Sequence, residues 1–325
     1  MKNPRTLQDA IKFYSDPANC IAYMVSKRWP DGVVKCPTCG RSDVVFLKNQ
    51  SKWQCKSVHP KRQFSAKVGT IFEDSPIALD KWIVAVWMLS NCKNGVSSYE
   101  LSRVIGVTQK SAWFMLHRVR VAMKNAPMGT KFGGNDGGEV EADETFVGGK
   151  AINMHRNRAK RYAEGHFGKT AVLGILDRDA RQVRAKVVPN VKRETLQAEI
   201  LDNVKFGSRL YTDAAVAYDN MRERYVHDVV THTDEYVRDR VHTNGIENFW
   251  SLVKRALKGT YVAVEPFHLE RYVDEQVFRY NNRSTKDNPI DDRDRFDLAM
   301  FQILGKRLTF AEVTGKTGDT TPQNF

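Results

Sequence analysis

The segment EVEADETFVGG (residues 139–149) decides how the rest of the chain reads. It predicts a β-strand closed by two glycines, with Asp143 inside it and acids on both sides. Working outward, YTDAAVAY (211–218) opens on the end of a second strand and carries Asp213. The stretch HTNGIENFWSLVKRALKGTY (242–261) has the periodicity of an amphipathic helix. Ile246, Phe249, Trp250 and Val253 form its inward stripe. Glu247 and Lys254, about two turns apart, share its other face.

Around these segments the pattern is α/β. Strands are expected near 139–147, 170–177 and 182–188, then a helix at about 192–204 and a strand at 208–212. A helix at 214–223, a strand near 228–231 and a helix at about 243–258 follow, with one more helix after Pro266 and a last near 293–305. Three strands, a helix, a strand, a helix, a strand and a helix is the element order of a ribonuclease-H-like fold. A single Asp or Glu at any of these places is ordinarily a solvated or capping group. Acids on the first strand, after the fourth and on the last helix are much more specific in combination than singly.

Upstream, GTKFGGNDGG (129–138) reads as a glycine-rich linker. Before it, residues 78–124 are helical, with Leu79, Trp82, Ile83, Val86 and Leu89 at helical spacing and a break at Asn94-Gly95. Ser97 and Glu100 have the spacing of a capping box, Gly106 supplies a turn, and Thr108 caps a second helix through Ala112, Trp113, Leu116 and Val119. The pair has the form of a helix-turn-helix unit whose second helix is expected to present Gln109, Lys110, Arg118 and Arg120 to DNA.

Residues 26–72 change character again, with β-prone Val33-Val34, Val44-Val45-Phe46 and Trp53-Gln54 between Gly, Pro and Ser. The turn CPTCG (36–40) brings two thiolates to one ion, and Cys55 with His59 makes a second ligand pair sixteen residues after Cys39. Cys36, Cys39, Cys55 and His59 are thus expected to bind zinc in a ribbon too small to bury its own core. The lysines and arginines around it, including Lys56 and Arg62, are interleaved with Trp53 and Phe64 as in a ribbon that grips a phosphate backbone. Cys20 and Cys92 lie on helical segments and read as buried apolar residues.

The 325 residues allow two or three domains. The expected division is a lead-in and zinc ribbon at 1–72, a helical DNA-binding domain at 73–128, a catalytic domain at 139–285, and a helix with a disordered tail at 286–325. Residues 1–130 hold 20 Lys and Arg against 8 Asp and Glu, while the remainder is nearly balanced at 31 against 30. The surplus within the net +13 therefore sits in the N-terminal part, as a polyanion-binding unit requires. No apolar run reaches membrane-span length, and a reduced, cytosolic setting on nucleoid DNA is expected.

The segments CPTCG, RQFSAKVGTIFEDS, KSAWFMLHRVRVAM, EADETFVGG, YTDAAVAY and HTNGIENFWSLVKRALKGTY together resemble bacterial insertion-sequence transposases of the ISXO2-like, Merlin-related type, which join a zinc ribbon to an acidic-triad nuclease domain. The resemblance covers about residues 15–285. It implies that Asp143 and Asp213 are the first two catalytic acids and that Lys254 is the basic residue following the third. Glu247 fits the third position, with Asn244 and Asn248 close by as alternatives; if Glu247 is the ligand, Asn244 reads as a helix N-cap or a DNA contact. It further implies divalent magnesium or manganese at the acids, the element's terminal repeats and target DNA as partners, and a homodimer on DNA. The competing readings are a DNA-binding regulator derived from such an enzyme and a nuclease that cuts without strand transfer.

Overall fold

The computed structural model describes residues 4–124, 130–134, 138–148, 169–213, 216–230, 241–286 and 288–316. Contacts divide the chain into two units, one of residues 1–124 with 282–320 and one centred on 125–281. Gly129 and residues 135–137 of the expected linker, and the tail from 317, lie outside the described residues.

The first unit opens with two capped helices, α1 (Leu7–Tyr14) and α2 (Pro17–Arg28). A small antiparallel sheet follows, β1 (Val44–Leu47), β2 (Lys52–Cys55) and β3 (Gln63–Phe64), paired in that order. Val33 and Val34, although β-prone, lie outside these strands. Trp53 and Phe64 are buried and stack on each other at 6.0 Å, with Trp29 and Phe46 against Trp53. Trp29, Trp53 and Phe64 are therefore the ribbon's miniature core, with the half-exposed Phe46 at its edge.

Three helices follow: α3 (Leu79–Asn91), α4 (Ser98–Ile105) and α5 (Gln109–Met123). The Ser97–Glu100 capping box forms in both directions, and Gly106 ends α4 at φ +62°, a conformation open to glycine at little cost. Thr108 then caps α5 by accepting from Ser111 N at 3.1 Å.

The last described stretch returns to this unit. In α9 (Asp292–Phe301), Phe296 stacks on Tyr23 at 5.6 Å and lies 4.9 Å from Trp87. Ile71 N donates to Ile303 O and Gly305 N to Gly69 O, so 303–305 runs beside 69–71. The stretch expected as a separate C-terminal piece thus completes the N-terminal core.

In the second unit the described strands are β4 (Glu139–Val147), β5 (Thr170–Asp177), β6 (Gln182–Val188), β7 (Arg209–Asp213) and β8 (Val226–Val230). Among the described residues they form one sheet in the order β6-β5-β4-β7-β8, with β4–β5 and β5–β6 antiparallel and β4–β7 and β7–β8 parallel. This is the ribonuclease-H-like arrangement. On one face, Leu196 and Ile200 of α6 (Arg193–Asn203) pack with Val140, Ala142, Leu173 and Leu210. On the other, Val172 and Leu176 meet Ile246, Phe249, Trp250 and Val253 of α7 (Asn244–Ala256) and Val273 and Val277 of α8 (Leu269–Asn281). Strand alternation separates these two cores and sends Asp143 toward α7. The helix expected at 214–223 is replaced, within the described residues, by two 3-10 turns, Val216–Tyr218 and Met221–Glu223, divided by Asn220 at φ +70°.

Candidate active site and zinc centre

Asp143 lies near the middle of the sheet, opposite Gly174 on β5. A Cβ on Gly174 would come within 2.6 Å of the Trp250 ring, so only glycine lets the indole lie against the sheet there. The indole Nε1–H donates to Asp143 Oδ2 at 2.9 Å. The parallel register of β4 with β7 pairs Glu141 with Tyr211, and two residues further along each strand stand Asp143 and Asp213. Glu247 comes from the first turn of α7, where Thr243 Oγ1 donates to its Oε1 at 3.0 Å.

These acids feel one another. Burial raises the Asp143 carboxyl to about 6, and the negative charges of Asp213 and Glu247 push in the same direction, against the Glu144 N–H and the Trp250 N–H. Glu144, on the opposite face of β4, is raised to about 7 by burial and by the charges of Asp213 and Asp143, although Tyr218 OH donates to it. Like charges gathered around a half-buried carboxylate are unfavourable by themselves and favourable around a cation. The residues present therefore fit a divalent ion, for which hard carboxylate oxygens are suitable ligands. Among the described residues, the one set of three or more potential donors lying within 4.8 Å of one another is the zinc set, so the acids are more widely spaced than that.

Asn244 is exposed as the first residue of α7. The N-cap position belongs to Thr243, without a side-chain cap, and the helix N–H of Ile246 is instead satisfied by Glu141 Oε2 at 2.8 Å. The expected N-cap role of Asn244 is therefore corrected. Lys254 is exposed on the same helix as Glu247, which is also exposed.

In the ribbon, Cys36, Cys39, Cys55 and His59 bring their ligand atoms within 4.8 Å of one another. Cys36 Sγ stands 3.4 Å from His59 Nε2, and Cys39 Sγ stands 3.7 Å from Cys55 Sγ. Gly40, at φ +74°, closes the knuckle with its N–H on Cys36 O. His59 Nδ1 lies 2.7 Å from Pro60 O, so Nδ1 carries the proton and Nε2 is left to ligate. Three thiolates and an imidazole are a set suited to zinc.

Residues 136–281 match the ISXO2-like transposase domain, and residues 15–57 match the transposase zinc-ribbon domain. A transposase-like protein of Haemophilus influenzae is 34% identical over 106 residues, 32% of this chain and 85% of that protein. The chain belongs to the ISXO2-like transposase family.

A protein in transposable element ISH50 of Halobacterium salinarum is 28% identical over 257 residues, 74% of this chain and 82% of its own length. A chain from a simian T-cell lymphotropic virus intasome in complex with PP2A regulatory subunit B56 gamma superposes with a TM-score of 0.31 at 15% identity, covering 66% of this chain and 74% of that one. That likeness is too loose to add to the family match.

Within this transposase the residues expected to meet DNA are placed unequally. Lys110 is exposed near the start of α5, its Nζ 4.9 Å from the Phe310 ring, while Gln109 donates to Ser98 Oγ at 2.8 Å. Lys56 is exposed and ion-paired with Asp43 at 2.9 Å, and Arg62 turns back to donate to Cys55 O at 3.2 Å. Arg118 does not face outward as expected. It is 4% exposed, donates to Glu73 O at 2.5 Å, and lies over the Trp82 and Phe114 rings. Arg120 is buried too. The reason is that α3, α4, α9 and α10 (Phe310–Val313) all pack on α5 or beside it, leaving only its first turns open.

Sequence periodicity alone placed Trp250 in the apolar stripe, where it does pack. Its polar edge toward Asp143 and the need for glycine at 174 become visible only once β4, β5 and α7 are together. Glu144 and Tyr218 were likewise outside the expected site; a carboxyl adjoining Asp143 was the available signal.

Proposed function

We propose that this transposase cleaves DNA at the ends of its insertion sequence and joins the freed 3′-hydroxyl ends to target DNA. The observation carrying this reading is that Asp213 of the adjacent strand and Glu247 of α7 lie near enough to Asp143 for their charges to add to burial in raising its carboxyl to about 6. The three carboxylates would hold divalent magnesium or manganese. When bound, such ions supply Lewis-acid chemistry, favouring deprotonation of the attacking water or hydroxyl and stabilising the leaving oxygen. The chain itself half-buries Asp143, sets Asp213 on the adjacent strand and Glu247 on α7, and offers Lys254 on the Glu247 helix to orient a DNA phosphate.

In the first reaction water attacks a phosphodiester, leaving a 3′-hydroxyl and a 5′-phosphate. In the second, that 3′-hydroxyl attacks a target phosphodiester and displaces a new 3′-hydroxyl. The basic N-terminal unit, with Lys56, Arg62, Gln109 and Lys110 on or near its surface, would bind the element ends, and two chains would be needed to bring two ends together. In this reading zinc organises the ribbon.

The test is incubation of the full chain with a labelled element-end fragment, a target duplex and Mg2+ or Mn2+. Cleaved and joined products are expected with the metal and none without it. Cleavage without joining would reduce the activity to a nuclease. Binding without either product would overturn the enzymatic reading. In the same assay Glu247→Gln should abolish both products while end binding persists, and Asn244→Ala should retain activity; the reverse would move the third ligand to Asn244.

A further inference from the structure

We infer that Arg178, with Glu141 and Gly245, forms a positioning clamp that sets where Glu247 stands relative to Asp143 and Asp213. The inference rests on the proposed metal-binding role of those three acids and adds residues that touch none of the reacting atoms.

Arg178 follows β5, and its guanidinium is engaged by β4, by the segment just before α7 and by β7. Nε donates to Glu141 Oε1 at 2.6 Å and Nη1 to Glu139 Oε2 at 3.3 Å, both on β4. Nη2 donates to the carbonyl of His242 and lies 2.9 Å from His242 Nδ1, immediately before α7. The guanidinium carbon stands 4.2 Å from the Tyr211 ring on β7, whose OH donates to Glu139 Oε1 at 3.1 Å. Glu141 is 1% exposed, and its second oxygen receives the Ile246 N–H at 2.8 Å.

The residues held by this network are the near neighbours of the proposed ligands. Glu141 is two residues before Asp143, Tyr211 is two before Asp213, and Ile246 immediately precedes Glu247. On a strand, a residue two positions away shares the same face, so fixing Glu141 and Tyr211 fixes the bases from which Asp143 and Asp213 project. Gly245 allows the helix to approach, because a Cβ there would lie 2.9 Å and 3.0 Å from the two Glu141 carboxylate oxygens. A planar, multidentate guanidinium suits this junction in a way that the point charge of lysine does not.

The full-length, zinc-loaded chain can be titrated with Mn2+ by calorimetry, with the metal-free thermal midpoint recorded alongside. Wild type, Arg178→Lys, Glu141→Gln and Gly245→Ala are compared, with Asp143→Asn to identify the heat that belongs to this site. Arg178→Lys and Gly245→Ala are expected to weaken Mn2+ binding by roughly ten- to a hundredfold, as for other residues that orient metal ligands. Their thermal midpoints should fall, because a buried ion pair is weakened or crowded, but both variants should remain folded at the titration temperature, which the midpoint checks. Gly245→Ala, at a half-buried helix start, decides the matter if Glu141→Gln does not fold. Mn2+ affinities within about twofold of wild type would overturn the clamp while leaving the metal site standing. Absence of Mn2+ binding by wild type itself would overturn the metal-site reading and the clamp with it.

Discussion

The indole N–H of Trp250 donates to Oδ2 of Asp143 at 2.9 Å, across a gap that exists because residue 174 has no side chain. One helix of the apolar core thereby ends in a polar contact with the central acid of the sheet. A hydrogen bond to an ionised acceptor contributes about 1.5–3 kcal/mol, and it favours the ionised carboxylate over the acid.

Trp250→Phe keeps an aromatic ring over Gly174 and removes the donor. The Asp143 carboxyl, already raised to about 6 by burial and neighbouring charge, should rise further. The acidic limb of metal-dependent cleavage should move upward by roughly one pH unit. Rates measured from pH 5.5 to 9 check this, and an unmoved limb would remove the donor from the account.

Raised carboxyls also tie stability to pH. Asp143 goes from 3.8 to about 6 and Glu144 from 4.5 to about 7 on folding, so the folded chain keeps protons that the unfolded chain has released. Their stabilising contribution is complete below about pH 4 and is lost as pH rises through 6 and 7. The metal-free thermal midpoint should therefore fall more steeply between pH 5 and 8 in wild type than in Asp143→Asn with Glu144→Gln. Magnesium at pH 8 should restore the midpoint of wild type alone. Equal slopes for the two proteins would contradict the assignment.

Cys36→Ser combined with Cys39→Ser should reduce zinc, expected at about one per chain, to background by elemental analysis, and should unfold the ribbon. His59→Ala should weaken zinc binding less, since three thiolates remain. Full zinc retention in the double variant would move the site elsewhere.

Arg118→Ala and Lys110→Ala should fail in different ways. Loss of the buried Arg118, with its bond to Glu73 O and its ring contacts, should destabilise the first unit by about 2–3 kcal/mol. Lys110→Ala should leave the thermal midpoint alone, weaken binding to element ends and reduce the salt slope by about one. Unfolding curves with salt-dependent binding separate the two. A destabilised Lys110→Ala, or a fully stable Arg118→Ala, would reverse the assignment.

The strands of the second unit were legible almost to the residue because a sheet buried on both faces restricts where a strand can start and stop. The expected spans 139–147, 170–177 and 182–188 match the observed strands. The stretch after β7 was misjudged because Asn220 adopts a left-handed turn and Tyr218 is drawn to Glu144, and a helical pattern reports neither. Arg118 misled for a related reason. Periodicity treats every arginine as a surface residue, whereas α5 is covered on several sides and accommodates the long apolar stem inside. Asp143, Asp213 and Glu247 stand out as candidates in the sequence because each lies in a recognisable segment. Arg178 could not, since its partners at 139, 141, 211 and 242 are linked only by the folded sheet.

Because the first unit takes Phe296 and residues 303–305 from beyond the nuclease domain, its maturation follows the order of synthesis. Tyr23 and Trp87 leave the ribosome early and stay without their cover while the next two hundred or so residues are made, roughly 10–40 s at bacterial rates. A chain whose translation stops after residue 281 would carry the whole transposase-domain sequence together with an unfinished first unit. With the first unit holding element ends as proposed, truncated products would be poor competitors for them, since a chain that completes that unit has already made the catalytic domain. Tryptophan fluorescence quenching in a 1–281 chain and in its Trp87→Phe variant, compared with the whole protein, would reveal that exposed early core.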